Sequence, residues 1–236
     1  MKLSIVFSGL YNYLIVWKND LIFEKLIDAS ERMREFLESL ATTKHTHDFP
    51  WPATTYYSPD IWRRADLDII DAREDRKLWM MHLCVYPHVN DAAPIYGFDI
   101  IAGPKKVTGA FHDFSPIDPD SHILSQFKKN VHSFVPSKKR ELPDWAKAIF
   151  SGSMVSAGNV RDPDELQELL DLAVNNLDYF IHNIGWITNV DYTEKHNWYA
   201  INQKKNPHTP RVMENMGVAP DVVRKYIDEC LFPEIN

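Results

Sequence analysis

Residues 77–86 read KLWMMHLCVY and stop at Pro87. A continuous apolar run of strand length, closed by a proline, is the pattern of a central strand covered on both faces. Other strand-like segments stand beside it. Residues 65–71 alternate in polarity, while residues 95–102 (IYGFDIIA) and 107–114 (VTGAFHDF) flank the short Gly103-Pro104 turn as a hairpin would. The remaining patterns are helical. Leu21, Ile22, Leu26, Ile27, Met33, Phe36, Leu37 and Leu40 recur at helical spacing. Residues 42–59, interrupted by Pro50, Pro52 and Pro59, read as a loop. After residue 140 the helices follow one another. One opens at Leu142-Pro143-Asp144-Trp145, with proline in a tolerated first-turn position. A long one covers 162–184 and begins DPDE, which sets acids at the positive end of its dipole. Further helices are expected over 193–205, 209–216 and 221–231. Strands first and helices after predict an α+β fold, a three-layer α/β/α sandwich around a central antiparallel sheet. No linker rich in Pro, Gly or Ser divides the chain, so residues 1–236 are expected to form a single domain.

Composition narrows the functional classes. The chain has 236 residues, 44% of them hydrophobic and 12% aromatic, which is ample for a sizeable core. Two cysteines, Cys84 and Cys230, make neither a disulfide framework nor a zinc set and point to a reducing, cytoplasmic setting. Residues 3–17 are mostly apolar but contain Asn12, follow one lysine and lead to no small-residue cleavage site. Too short to span a bilayer, they read as an amphipathic lead-in, and no membrane partner is expected. A net charge of −7 argues against nucleic acid and, for a compact chain, favours a monomer. The charge is uneven, however. Between residues 121 and 140 stand Lys128, Lys129, Lys138, Lys139 and Arg140 with no Asp or Glu, and Lys105, Lys106, Lys204 and Lys205 add two basic pairs. Such residues serve either as solvated surface charge or as a patch that steers an acidic partner.

Two polar residues interrupt the apolar strands: His82 in WMMHLCVY and Asp99 in IYGFDII. A titratable group among such neighbours is costly unless it is paired or used. Adjacent strands can bring the two side chains over one pocket. There they form either a structural hydrogen bond or a proton-moving pair with displaced pKa values. The cluster His45-Thr46-His47-Asp48 has a metal-site look but lies in a proline-rich stretch without a further ligand nearby, so no metal is expected. The chain carries no glycine-rich phosphate loop, GxSxG elbow, HExxH or CxxC, which argues against a conventional NAD or flavin oxidoreductase.

The stretch HLCVYP from His82, followed by PIYGFDIIAGP from Pro94 and HDFSP from His112, resembles the central signature of the ferredoxin-dependent bilin reductases. The chain is most similar to the phycocyanobilin- and phycoerythrobilin-forming branches of that family. His82 and Asp99 keep the family's seventeen-residue separation. The resemblance continues through LPDW from Leu142, IFS from Ile149 and QKKNPHTPRVME from Gln203, and covers the chain from about residue 58 onward. It implies biliverdin IXα held between sheet and C-terminal helices. Electrons come singly from reduced plant-type [2Fe-2S] ferredoxin, protons come from protein groups, and no redox cofactor is bound. On this chain the resemblance makes Asp99 the proton donor to the bilin, and His82 the residue that hydrogen-bonds the pyrrole lactam oxygens and exchanges protons with Asp99. Asn206 matches the phycocyanobilin branch, and Gln203 and Thr108 match propionate-contacting or pocket-lining positions. Lys105, Lys106, Lys128, Lys129, Lys204 and Lys205 become ferredoxin-docking residues.

Two departures bear on the outcome. In SPDIWRRADLD from Ser58, Asp68 stands where phycocyanobilin-forming members carry a glutamate that protonates the D-ring vinyl group. The shorter side chain implies impaired vinyl reduction and a phycoerythrobilin product. Phycocyanobilin formation, a non-catalytic bilin carrier and a metal hydrolase built on the histidines remain as alternatives. The second departure is in propionate anchoring. The family's lysine near the C-terminal helices is replaced by His208 and an expected arginine aligns with Ala157, so Arg211 or a nearby lysine is expected to compensate.

Overall fold

The computed structural model describes residues 6–236, with side chains described from Leu21 onward. The expected amphipathic lead-in over 3–17 lies outside the described side chains. Helix α1 (Val6–Leu40) opens the described chain. Over its last five turns Ile22, Leu26, Ala29, Met33 and Leu37 are buried at intervals of three or four residues, the stripe that an amphipathic helix lays on a sheet.

Strands β1 (Thr43–Thr46), β2 (Ala53–Ser58) and β3 (Trp62–Ala72) follow, and after the single-turn helix α2 (Arg73–Arg76) come β4 (Leu78–Tyr86), β5 (Ile95–Gly103) and β6 (Lys106–Ser115). Helices α3 (His122–Asn130) and α4 (Asp144–Lys147) precede the short strand β7 (Val155–Ala157). The chain ends in helices α5 (Pro163–Asn183), α6 (Thr193–Gln203), α7 (His208–Asn215) and α8 (Pro220–Tyr226), the last widening into a π-helical turn over Ile227–Leu231. The seven strands form one antiparallel sheet in sequence order, with β4 at its centre. The expected hairpin between β5 and β6 is present, with Gly103 opposite Lys106.

Residues 42–59 are a correction: they hold β1 and β2, not a loop. The prolines punctuate the strands instead of excluding them. Pro50 and Pro52 lie in the connection, and Pro59 follows the last residue of β2. Thr54, Thr55, Tyr56 and Tyr57 are β-formers. β1 is exposed throughout and so carries no apolar signal. The single helix expected over 221–231 is likewise divided, because the ladder expands to i→i+5 after Tyr226.

Strand alternation sends one set of side chains to each face. On one face Leu67, Met81, Leu83, Phe98, Ile100 and Phe114 pack against α1, α3 and α5. On the other, Ile70, Cys84 and Tyr86 pack against α6, α7 and α8. The expected three-layer α/β/α arrangement is therefore the one observed. Among the described residues no helix is long and apolar enough to cross a membrane.

Candidate active site

Antiparallel register aligns three polar side chains in one row. Asp68 of β3 lies opposite His82 of β4, and His82 lies opposite Asp99 of β5. Directly paired residues point to the same face, so all three turn toward α6–α8. His82 Nδ1–H donates to Asp99 Oδ1 at 2.7 Å. The His82 ring is nearly buried, whereas Asp99 keeps 44% of its side-chain surface, exposed on the cavity that both line. Burial disfavours a charged imidazole, but Asp99 and Cys84 together outweigh it and raise the His82 pKa well above its ordinary value. His82 Nε2 is buried without a hydrogen-bond partner. Phe232 meets the ring edge-on at 5.6 Å between centroids.

Asp68 is buried to 1% exposure. Tyr226 Oη–H donates to its Oδ2 at 2.9 Å, and Cys230 Sγ stands 3.9 Å from Oδ1. Both partners come from α8 and the π-helical turn. That turn is fixed to the sheet by Tyr86 Oη–H donating to the Leu231 carbonyl and by Arg64 donating to the Glu229 and Cys230 carbonyls. Desolvation pushes the Asp68 carboxyl up to about 7, against the pull of His82 and the Tyr226 hydrogen bond. Because folding raises this pKa from 3.8 to about 7, Asp68 favours the folded state in acid, and that contribution is lost as pH rises through about 7. Tyr226→Phe removes a donor to the carboxylate and is expected to move the Asp68 midpoint higher. The readout is the infrared band of the protonated carboxyl, identified by its loss in Asp68→Asn. A midpoint that stays near 7 in Tyr226→Phe contradicts this account of the Asp68 environment.

The cavity above this row is about 500 Å³, within the range of sites for small organic ligands. Its floor is the sheet and its opposite wall comes from residues 140–154, α6, α7 and the chain end. Of the residues expected at the site, Asp68, His82, Asp99, Gln203, Asn206 and His208 all line it. Gln203 donates to Tyr199 Oη at 2.8 Å, and that hydroxyl is 3.7 Å from Cys84 Sγ, so its amide nitrogen is held within the helical layer. Thr108 and Arg211 do not line the cavity. Thr108 is exposed and its hydroxyl donates to the Ile101 carbonyl, while Arg211 is exposed on α7. Ala157, buried in β7, leaves no cation at its own position. Tyr226 and Phe232 were not expected from sequence; neither stands in a pattern that separates a cavity wall from ordinary core. The ring of His47 is committed to Thr55 Oγ1 at 2.8 Å, and Thr55 in turn donates to Asp66 Oδ1 at 2.6 Å. Among the described residues no three His, Cys, Asp or Glu side chains converge as a metal site.

A family profile described as ferredoxin-dependent bilin reductase matches residues 30–233. The chain belongs to the ferredoxin-dependent bilin reductases. The match reaches back into α1, further than the motifs alone suggested. The phycocyanobilin:ferredoxin oxidoreductase of Synechococcus sp. (strain CC9605) is 28% identical over 180 residues, covering 72% of this chain and 71% of the relative. That of Prochlorococcus marinus (strain MIT 9313) is 28% identical over 183 residues, covering 73% and 67%. The solved structure of PcyX superposes with a TM-score of 0.65 at 30% identity, covering 89% of this chain and 99% of that one. Tomato phytochromobilin synthase in complex with biliverdin superposes at 0.59 with 12% identity, covering 89% and 82%, a likeness of fold.

As a member of this family the reductase takes its electrons from ferredoxin as an external donor. The lysines expected to dock that donor are divided by the fold. Lys128 and Lys129 end α3 in one outer layer, and Lys204 and Lys205 follow α6 in the other. Lys204 is already paired with Asp228 at 3.1 Å and Glu234 at 2.7 Å. Lys106 is held by Asn159, and Lys105 is exposed beside it in the β5–β6 turn. Lys138 and Lys139 are exposed in the segment that leads to the cavity wall.

Proposed function

We propose that this bilin reductase converts biliverdin IXα to phycoerythrobilin in a four-electron reduction, with Asp99 as proton donor and His82 as the group that recharges it. The observation that carries the reading is the 2.7 Å contact between a cavity-exposed Asp99 carboxyl and a buried His82 whose pKa that carboxyl helps to raise. Four reduced plant-type [2Fe-2S] ferredoxins each supply one electron, and four protons enter from the protein and solvent. Two electrons and two protons saturate the 15,16 methine bridge. The other two of each reduce the A-ring diene system. After Asp99 gives up its proton, His82 Nδ1–H is already aimed at the carboxylate to replace it. The apolar cavity wall limits water around the bilin radicals, which keeps protonation at the bilin under the control of these groups. Asn206 and His208 contribute polar contacts at the helical side of the cavity.

Asp68 favours phycoerythrobilin over phycocyanobilin. Its carboxyl is one methylene shorter than a glutamate and is drawn toward Tyr226 and Cys230. A displacement of about 1 Å at a proton donor is enough to cost roughly a hundredfold in rate. Phycocyanobilin formation is the second reading, favoured by the similarity to phycocyanobilin:ferredoxin oxidoreductases at 28% identity. Anaerobic incubation with biliverdin and reduced ferredoxin, followed by chromatography of the pigment, separates the two. Phycoerythrobilin is the expected product, and phycocyanobilin overturns the Asp68 reading.

The enzyme is expected to act as a cytoplasmic monomer. Ferredoxin, an acidic partner, docks against the exposed Lys138 and Lys139 of the segment that leads to the cavity wall and against Lys105 of the β5–β6 turn. Turnover should accordingly fall severalfold as added salt shortens the Debye length below about 8 Å, with bilin binding little changed. A turnover rate that stays flat across that range rejects the electrostatic docking.

A further inference from the structure

Arg140 is the one arginine or lysine whose side chain lines the described cavity. Its guanidinium carbon lies 5.4 Å from the centroid of the Phe111 ring, and Phe111 sits directly opposite Asp99 in the β5–β6 ladder. Arg140 therefore lies over the strand next to the one that carries the proposed proton donor. The position is built. The backbone of Arg140 donates to the Ser156 carbonyl at 3.0 Å, and Ser156 Oγ–H donates to the Arg140 carbonyl at 2.6 Å. A Cβ at Gly109 would come within 2.6 Å of Arg140 Nη1, so the missing side chain of Gly109 leaves the bed in which the guanidinium lies. No salt bridge among the described residues includes Arg140; its guanidinium makes one long hydrogen bond, 3.5 Å, to the Thr108 carbonyl. Glu141, the next residue, also lines the cavity and is not paired with it.

An arginine held by its backbone, bedded on an aromatic face and a glycine, and left without an anion is preorganised for a carboxylate on the ligand. We infer that Arg140 anchors a propionate carboxylate of the bilin and so sets the position of the tetrapyrrole relative to Asp99. This assignment rests on biliverdin being the substrate. A propionate branches from the middle of the tetrapyrrole, so a grip there holds the ring system over the Asp68–His82–Asp99 row without covering the atoms that are reduced. Arg140 is a binding residue, and the planar fork makes lysine an incomplete substitute.

The test compares biliverdin with its dimethyl ester, which keeps the tetrapyrrole and removes both carboxylates. Binding is followed by bilin absorbance in the parental protein, Arg140→Gln and Gly109→Ala. The parental protein should prefer the free acid. Arg140→Gln should weaken the acid about tenfold and leave the diester at its parental affinity. Gly109→Ala, which crowds the guanidinium without removing its charge, should shift the acid in the same direction. Unchanged acid affinity in Arg140→Gln overturns the assignment, as does an equal loss for acid and diester. If the parental protein binds neither form, biliverdin itself is the wrong ligand, and the failure lies with the proposed function.

Discussion

Asp99→Asn is expected to lower biliverdin turnover by at least about a hundredfold, the span usual for loss of a positioned proton donor, while leaving bilin binding nearly intact. The amide keeps the shape of the carboxyl and its place beside His82 Nδ1, but it has no proton to give. Electron delivery from ferredoxin does not depend on this group. The variant should therefore accept an electron and stall as a one-electron-reduced bilin, visible as a radical by electron paramagnetic resonance. Reduction in Asp99→Asn at the parental rate rejects Asp99 as donor. A protein that only carries bilin behaves differently again: parental and variant chains both bind the pigment and neither reduces it.

Asp68→Glu is the second large effect, and it falls on product identity. Lengthening the side chain by one methylene lets the carboxyl reach further into the cavity from a strand position already opposite His82. Phycocyanobilin should rise from a trace to a major product, a change in product ratio of roughly a hundredfold on the distance sensitivity of proton transfer. Combining it with Tyr226→Phe, which frees the carboxyl from the 2.9 Å hydrogen bond that holds it toward α8, should push the ratio further. A product mixture unchanged in both variants rejects the view that this position selects the reduced double bond.

The central strands were legible because the physics that forms them is local. A nine-residue apolar strand tolerates a polar break only for a reason, and His82 and Asp99 each interrupt such a run. Their pairing followed once β4 and β5 were antiparallel neighbours, as the observed register from Trp79↔Ala102 to Val85↔Tyr96 makes plain. What sequence reading missed depends on distant or weak signals. β1 is an exposed edge and β7 has three residues, so neither shows the alternation of a half-buried strand. In α3 the lysines of the last turn mask a short apolar stripe, in which Ile123 and Phe127 are buried one turn apart. The contact between Tyr226 and Asp68 joins residues 158 positions apart through a π-helical turn that no periodicity announces. Arg140 was visible only as one of several basic residues, and its role in lining the cavity depends on Gly109, which reads in sequence as an ordinary interruption of a strand. Thr108 shows the opposite case. A motif match puts it at a pocket-lining or propionate-contacting position, and the register shift opposite Ile101 and Ala102 leaves it unpaired and exposed, outside the cavity lining.

A crystal structure of the complex with biliverdin tests the central claim most directly. The Asp99 carboxyl should lie within hydrogen-bonding distance, about 3 Å, of a pyrrole nitrogen or lactam oxygen, with His82 on the same ring system. A tetrapyrrole seated outside this cavity, or separated from both side chains by more than one water, contradicts the account.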